Sequence, residues 1–126
     1  MDINYQFLCY FASEDSNGMT YAHAIFDFLE FKEFPVTWPN TCYVINMKFG
    51  QNDVRKPHKL SLDFLGPKNQ NVIEPAEIKF AVTEERYLTF RIQFKPITFE
   101  EPGFYALKIA VNGRQEKGIL LPVKKN

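Results

Sequence analysis

The chain has 126 residues, of which 45% are hydrophobic, and its 15 Lys plus Arg balance 15 Asp plus Glu to a formal net charge of zero. That length suits one domain, spanning residues 1–126, with a core that needs no metal or disulfide. The even charge argues against nucleic-acid and membrane-surface binding, both of which call for a basic excess. The aromatic content, 16% with 13 Phe, favours a sheet-rich core, because aromatic rings fit a pleated, half-buried surface.

The first segment, NYQFLCYF, places Tyr5, Phe7, Cys9 and Phe11 on one face of a strand and Asn4 and Gln6 on the other. SEDSNG breaks it, with Asn17-Gly18 supplying a turn. The next segment, MTYAHAIFDFLEF, alternates less cleanly. Ala22, Ala24, Phe26 and Phe28 share one phase, while Ile25, Leu29 and Phe31 take the other, so a bulge or a doubly buried strand end is expected.

EFPVTWPN holds the only Trp, bracketed by Pro35 and Pro39. Each proline fixes φ and biases its predecessor towards extended backbone, which predicts an extended crossing between two sheets. TCYVINMKF then points Tyr43, Ile45, Met47 and Phe49 inward, and HKLSLDFLGP does the same with Leu60, Leu62 and Phe64. EIKFAV turns Ile78, Phe80 and Val82 in, and YLTFRIQFKP turns in Leu88, Phe90, Ile92 and Phe94. FYALKIAV follows a PG turn with Tyr105, Leu107, Ile109 and Val111 on one face. Asn112-Gly113 is a strong hairpin signal, since both positions tolerate positive φ. RQEKGILLPV returns, and Pro122 argues for an edge or a strand end.

About seven to eight strands at short, regular spacing predict an all-β, antiparallel sandwich. The order of features resembles an uncharacterised family of small bacterial and phage proteins, a domain of unknown function with an immunoglobulin-like sandwich. The resemblance rests on YQFLCYFAS, YAHAIFDFLEF, EFPVTWPN, TCYVINMKF and EPGFYALKIAVNG. It departs at HAIFDF, where Ala24 stands in place of the expected Gly. It implies the fold and a bacterial or phage setting, and it supplies no catalytic residues.

Chemistry-bearing patterns are sparse. His23 sits within a strand and His58 beside Pro57, neither with a metal-ligand-spaced partner. Glu84-Glu85 and Glu100-Glu101 are consecutive, so they cannot face each other across a cleft as glycosidase carboxylates do. DSNG lacks the later ligands of a calcium loop. No nucleophile elbow or phosphate-cradling glycine loop occurs. Cys9 and Cys42 form no metal or redox motif and are expected as free thiols in a cytoplasmic protein. MDINYQ opens with an acid rather than a basic leader, and no apolar run reaches a membrane-spanning length.

The aromatic segment around FKEFPVTWPNTCY is what remains. Trp38 is read first as the seal of the open end of the core, its N–H near water, and second as a recognition anchor with Phe34 and Tyr43. The expected function is a non-catalytic binding module without cofactor. Its partner is another protein or a second copy added through an edge strand, giving a homodimer. The terminal strand after Gly113 is the expected edge. The alternatives are a structural component of a phage or phage-like particle, a sugar-binding module stacking on Trp38 and Tyr43, and, last, an enzyme.

Overall fold

The structure, a computed structural model, describes residues 1–126. Eight longer strands carry the fold: β1 (Asp2–Glu14), β2 (Thr20–Phe26), β5 (Thr41–Lys48), β6 (Pro57–Leu65), β7 (Ala76–Ala81), β8 (Tyr87–Phe94), β10 (Gly103–Val111) and β11 (Arg114–Lys125). Three short strands join them: β3 (Leu29–Phe31), β4 (Val36–Trp38) and β9 (Ile97–Phe99). A single 3-10 turn, Gln51–Asp53, is the one helical element.

One sheet has four strands in the order β2-β1-β5-β8, and the other has five in the order β3-β11-β10-β6-β7. The core between them is built from Tyr43, Ile45 and Met47 on one side and Leu60, Leu62, Phe64, Leu107 and Ile109 on the other. These are the alternate positions expected of half-buried strands. Every ladder is antiparallel except β11–β3, which is parallel and pairs Val123–Lys125 with Leu29–Phe31. The chain therefore departs from the all-antiparallel expectation where the short β3 covers the end of β11.

The Trp segment crosses between the sheets. β3 lies in the five-stranded sheet, β5 in the four-stranded one, and β4 between them pairs with β9 as a separate two-stranded ribbon. β9 itself links β8 to β10, so the two crossings satisfy each other's backbone groups at one end of the sandwich. The Phe34–Pro35 peptide is cis.

The broken alternation of β2 is not a register bulge. Its pairs run from Glu14↔Thr20 to Leu8↔Phe26 without a shift. The irregularity is Ala24 itself, at φ 55. This is the position where the resemblance called for glycine, and the left-handed conformation explains why. Ala24→Gly is expected to be neutral or stabilising by up to about 1 kcal/mol, because relief of the Cβ penalty offsets the added chain entropy. A urea melt showing a loss of more than that would contradict the assignment. At the β10–β11 turn, Asn112 and Gly113 have φ 53 and 81, as a type I′ hairpin requires.

The β11 edge is not the open strand that the sequence suggests. Its last residues are covered by β3, and a bulge interrupts its pairing with β10 between Leu107↔Ile119 and Ile109↔Glu116. The Lys117 carbonyl at that bulge accepts a bond from the Gln6 amide at 2.6 Å. Gln6 in turn accepts from the Tyr43 hydroxyl at 2.7 Å, which ties the two sheets together.

Candidate functional site

The three residues singled out from the sequence do not form one site. Tyr43 is fully buried, and burial pushes its phenol far up from the ordinary range. Offering it as a stacking platform beside Trp38 is therefore corrected: its ring is core, because β5 is buried on both faces. Phe34 and Trp38 are half-buried and pack against the core. Phe31 links them, with ring centroids 6.0 Å from Phe34 and 5.6 Å from Trp38. Tyr10 and Phe26 meet Trp38 edge-on at 5.6 and 6.3 Å. The indole Nε1 is buried without a partner rather than placed near water, as is Thr41 Oγ1 nearby. Trp38→Phe is thus expected to change stability by no more than about 1 kcal/mol, since it removes an unpaired buried donor along with some ring area. A much larger loss in a thermal melt would mean that Nε1 has a partner.

The other candidates resolve into structural roles. His58 is buried between Phe49 and Phe80, at 5.2 and 5.5 Å. Its Nε2 lies 2.8 Å from the Asp53 carbonyl, and Asn112 Nδ2 lies 2.9 Å from its Nδ1. A carbonyl can only accept, so Nε2 carries the proton and Nδ1 accepts from Asn112. Both nitrogens are thus occupied by turns that the ring holds in place. His23 is exposed and stands 5.8 Å from Phe11. In DSNG, Asp15 Oδ1 accepts from the amides of Asn17 and Met19 at 2.8 and 2.9 Å. These bonds, Met19 foremost, hold its carboxyl below the usual range. Glu84 and Glu101 pair with Arg55 and Lys68 at 2.8 and 3.2 Å. These are surface pairs that keep turns solvated.

The feature that stands out is the outer face of the four-stranded sheet. Tyr5, Phe7 and Cys9 share a face that points away from the core, while Leu8 faces inward. Phe11 does not stay with them: past Tyr10 and Ala24 it is Ala12 and Ala22 that pack on Cys9, Cys42 and Val44, and Glu14 and Thr20 that meet Arg91, so Phe11, His23 and Tyr21 take the other phase. The ladder places Cys42, Val44, Asn46 and Lys48 beside Tyr5, Phe7 and Cys9, on β5, with Ile25 on β2 and Tyr87, Thr89 and Arg91 on β8, and Ala22 and Thr20 close over this face from the end of the hairpin. The exposed apolar members are Tyr5 (44%), Ile25 (61%) and Tyr87 (50%), beside half-buried Phe7. A solvated outer sheet face ordinarily alternates to polar residues. The outer face of the five-stranded sheet carries Lys59, Ser61, Asp63 and Lys108 across β6 and β10, and its exposed apolar residues, Phe104 and Leu120, are diagonal neighbours across β10 and β11.

The centre of this aromatic face is dry. Cys9, Cys42 and Val44 are buried there beneath Phe7, Ala12 and Ala22. Arg91 reaches Glu14 at 3.3 Å and Thr20 at 2.8 Å, which ties β8 to the far end of the β1–β2 hairpin. A polar string crosses the other end, where Asn4 donates to Asn46 and Asn46 donates to Thr89 at 2.7 and 2.8 Å. Lys48 Nζ sits 5.7 Å from the Tyr87 ring centre.

Burial pushes the Cys9 thiol up to about 11, with Cys42 adding to the shift, and it raises Cys42 as well. Both thiols are free. Native protein is therefore expected to resist alkylation, with both cysteines reacting only on unfolding, because the thiolate is the reactive form. Folded values above the unfolded value of about 8.5 mean that the native state holds its protons longer. Stability is then full below that pH and is lost as pH rises towards about 11. Urea midpoints measured from pH 7 to 11 should fall only above about pH 8.5, and an unchanged midpoint would contradict this.

These features define a single-domain, all-β protein of two packed sheets with an apolar outer face. The chain belongs to the family described as "Family of unknown function (DUF6941)", which matches residues 4–124. No curated protein matches the chain. No helix is long and apolar enough to cross a membrane.

Proposed function

We propose that the protein is a non-catalytic protein-interaction module that binds through the outer face of β2-β1-β5-β8. The observation that carries this reading is the exposure of Tyr5, Tyr87 and Ile25 beside half-buried Phe7 on one sheet face. Contiguous apolar surface of that kind marks interaction sites, and Tyr is enriched at them because its ring is apolar and its hydroxyl finds partners. The polar rim from Asn46, Lys48 and Arg91 fits the usual anatomy of an apolar centre within a hydrated border.

The immunoglobulin-like reading is supported by β1-β5-β8 packed against β11-β10-β6-β7. It is supported also by the Tyr105 hydroxyl, which bonds back to the Glu101 carbonyl at 2.7 Å as a tyrosine corner does. Free thiols accord with a reducing, cytoplasmic setting. A component of a phage-like particle is the second reading, favoured by the same face, since assembly needs complementary surfaces and no chemistry.

The test is affinity capture from the source organism with the parent, with Tyr5→Ser/Ile25→Asp on this face, and with Phe104→Ser on the opposite sheet. Melts first confirm that each is folded. A protein held by the parent and by Phe104→Ser but lost by the double variant is expected. A double variant that retains the same proteins would sink the proposal.

A further inference from the structure

We propose that the free edge of β8 takes an extended segment of a partner protein as an added strand, with the segment's apolar side chains entering the cleft between β7 and β8. This goes beyond the outer-face reading, since an edge recognises main chain and the face recognises side chains.

Backbone hydrogen bonding is the first argument. β8 is the last strand of its sheet and pairs only with β5. The Phe49 N–H donates to the Arg86 carbonyl at 2.8 Å, and that bond sets the phase of the ladder. Continued by one residue, the register places Phe49 opposite Arg86, so Leu88, Phe90, Ile92 and Phe94 exchange bonds with Met47, Ile45, Tyr43 and Thr41. The N–H and C=O groups of Tyr87, Thr89, Arg91 and Gln93 then point away from β5, and no backbone bond outside the ladder reaches them. Another strand satisfies such a row in register.

The remaining edges are blunted, and this one is not. Ala24 at φ 55 interrupts β2, β3 has three residues and β7 has six. The part of β1 that β2 does not reach is broken between Ile3 and Tyr5, and β11 is bulged at Lys117 and Gly118. β8 runs eight residues in unbroken register, with no proline, glycine or positive φ. Natural sheets block edges of that kind, so an unblocked one points to an occupant.

The cleft is the third argument. Leu88, Phe90 and Ile92 face the core but are half-buried, whereas Met47, Ile45 and Tyr43 opposite them are fully buried. Phe80 on β7 meets Phe90 edge-on at 5.1 Å. Beside that contact lies a cleft of about 410 Å³, lined by Val72, Ile73, Ala76, Ile92, Phe94 and Pro96. The period of two sends alternate side chains of an added strand towards this cleft and the rest to the outer face.

Charge describes the segment further. Arg86, Arg91 and Lys95 punctuate β8 and its flanks with no acid among them. Glu14 pairs with Arg91 and Glu74 lines the cleft with Lys95, so the Arg86 end is left basic. The occupant therefore alternates apolar and polar residues and carries an acid at the end lying against Arg86. A second copy of β8 suits the edge less, because antiparallel pairing sets Arg86 of each copy towards Lys95 of the other.

The test is selection of binders from a phage library of random short peptides on the immobilised full chain, followed by fluorescence-anisotropy titration. Each selected peptide is titrated against the parent, Gln93→Pro, Thr89→Pro and Tyr5→Ser/Ile25→Asp, with melts confirming that each protein is folded. Proline removes an outward N–H and leaves the β5 ladder intact. Peptides that alternate apolar and polar residues are expected, weakened on the order of tenfold by Gln93→Pro and unchanged by Tyr5→Ser/Ile25→Asp. Thr89→Pro keeps the test decisive if Gln93→Pro fails to fold. Peptides that bind the proline variants as tightly as the parent overturn the edge, and so does a library that yields no binder. Peptides lost only by Tyr5→Ser/Ile25→Asp overturn the edge while upholding the outer face.

Discussion

Gly118→Ala is expected to destabilise the protein by about 3 kcal/mol, the upper range for forcing extra atoms into a packed site. Gly118 lies in the β11 bulge, where Lys117 and Gly118 together oppose Lys108. A Cβ there would overlap the Leu107 carbonyl oxygen. The obstacle is backbone, so relief requires the β10–β11 ladder to part at the middle of the five-stranded sheet. Gly113→Ala is the informative contrast. Nothing lies near its Cβ, but its φ is +81, so only the left-handed penalty of about 1 kcal/mol applies. Urea denaturation of both variants gives the comparison, and equal losses would show that the bulge yields.

Tyr105→Ala is expected to cost about 4 kcal/mol, within the range for removing a buried aromatic ring. The ring is fully buried and meets Phe99 edge-on at 5.0 Å. Through that contact it supports the β4–β9 crossing from below. Its hydroxyl donates to the Glu101 carbonyl at 2.7 Å, which fixes the turn before β10. Tyr105→Phe separates the two contributions, with a loss of about 1 kcal/mol for the hydrogen bond alone. If Phe and Ala variants were equally unstable, the hydroxyl rather than the ring would be holding the corner. A Tyr105→Ala protein within 1 kcal/mol of the parent would contradict the packing account.

The inward residues of β5, β6, β8 and β10 are legible in the sequence because one face of each alternates without interruption. Leu60, Leu62 and Phe64 are buried as the period requires, and so are Tyr105, Leu107, Ile109 and Val111. The crossing at Trp38 is legible from its prolines, and its pairing with β9 is not, because Ile97–Phe99 is too short to show a period. The outer face is hidden for a different reason. Along β1, both phases are apolar, with Tyr5, Phe7, Cys9 and Phe11 on one and Leu8 and Tyr10 on the other. Alternation is silent on which face is the core, and past Tyr10 it does not keep the face either, since Ala12 rather than Phe11 packs on Cys9 and Cys42. The deciding information is across the ladder, where Leu8 pairs with Tyr43 and Phe26 while Phe7 pairs with Val44. Likewise Tyr43 reads as an aromatic neighbour of Trp38 in sequence, and only the pairing of β5 between β1 and β8 places it at the centre of the core.

The most direct test of the outer face as the interaction surface is hydroxyl-radical footprinting of the aromatic side chains, in dilute protein and in the associated state, whether self-associated or captured. Tyr5 and Tyr87 should both be reactive when dilute, in keeping with their exposure, and should become protected together on association. Phe104, equally open on the opposite sheet, should react alike in both. Protection of Phe104 with continued reactivity of Tyr5 and Tyr87 would contradict the account.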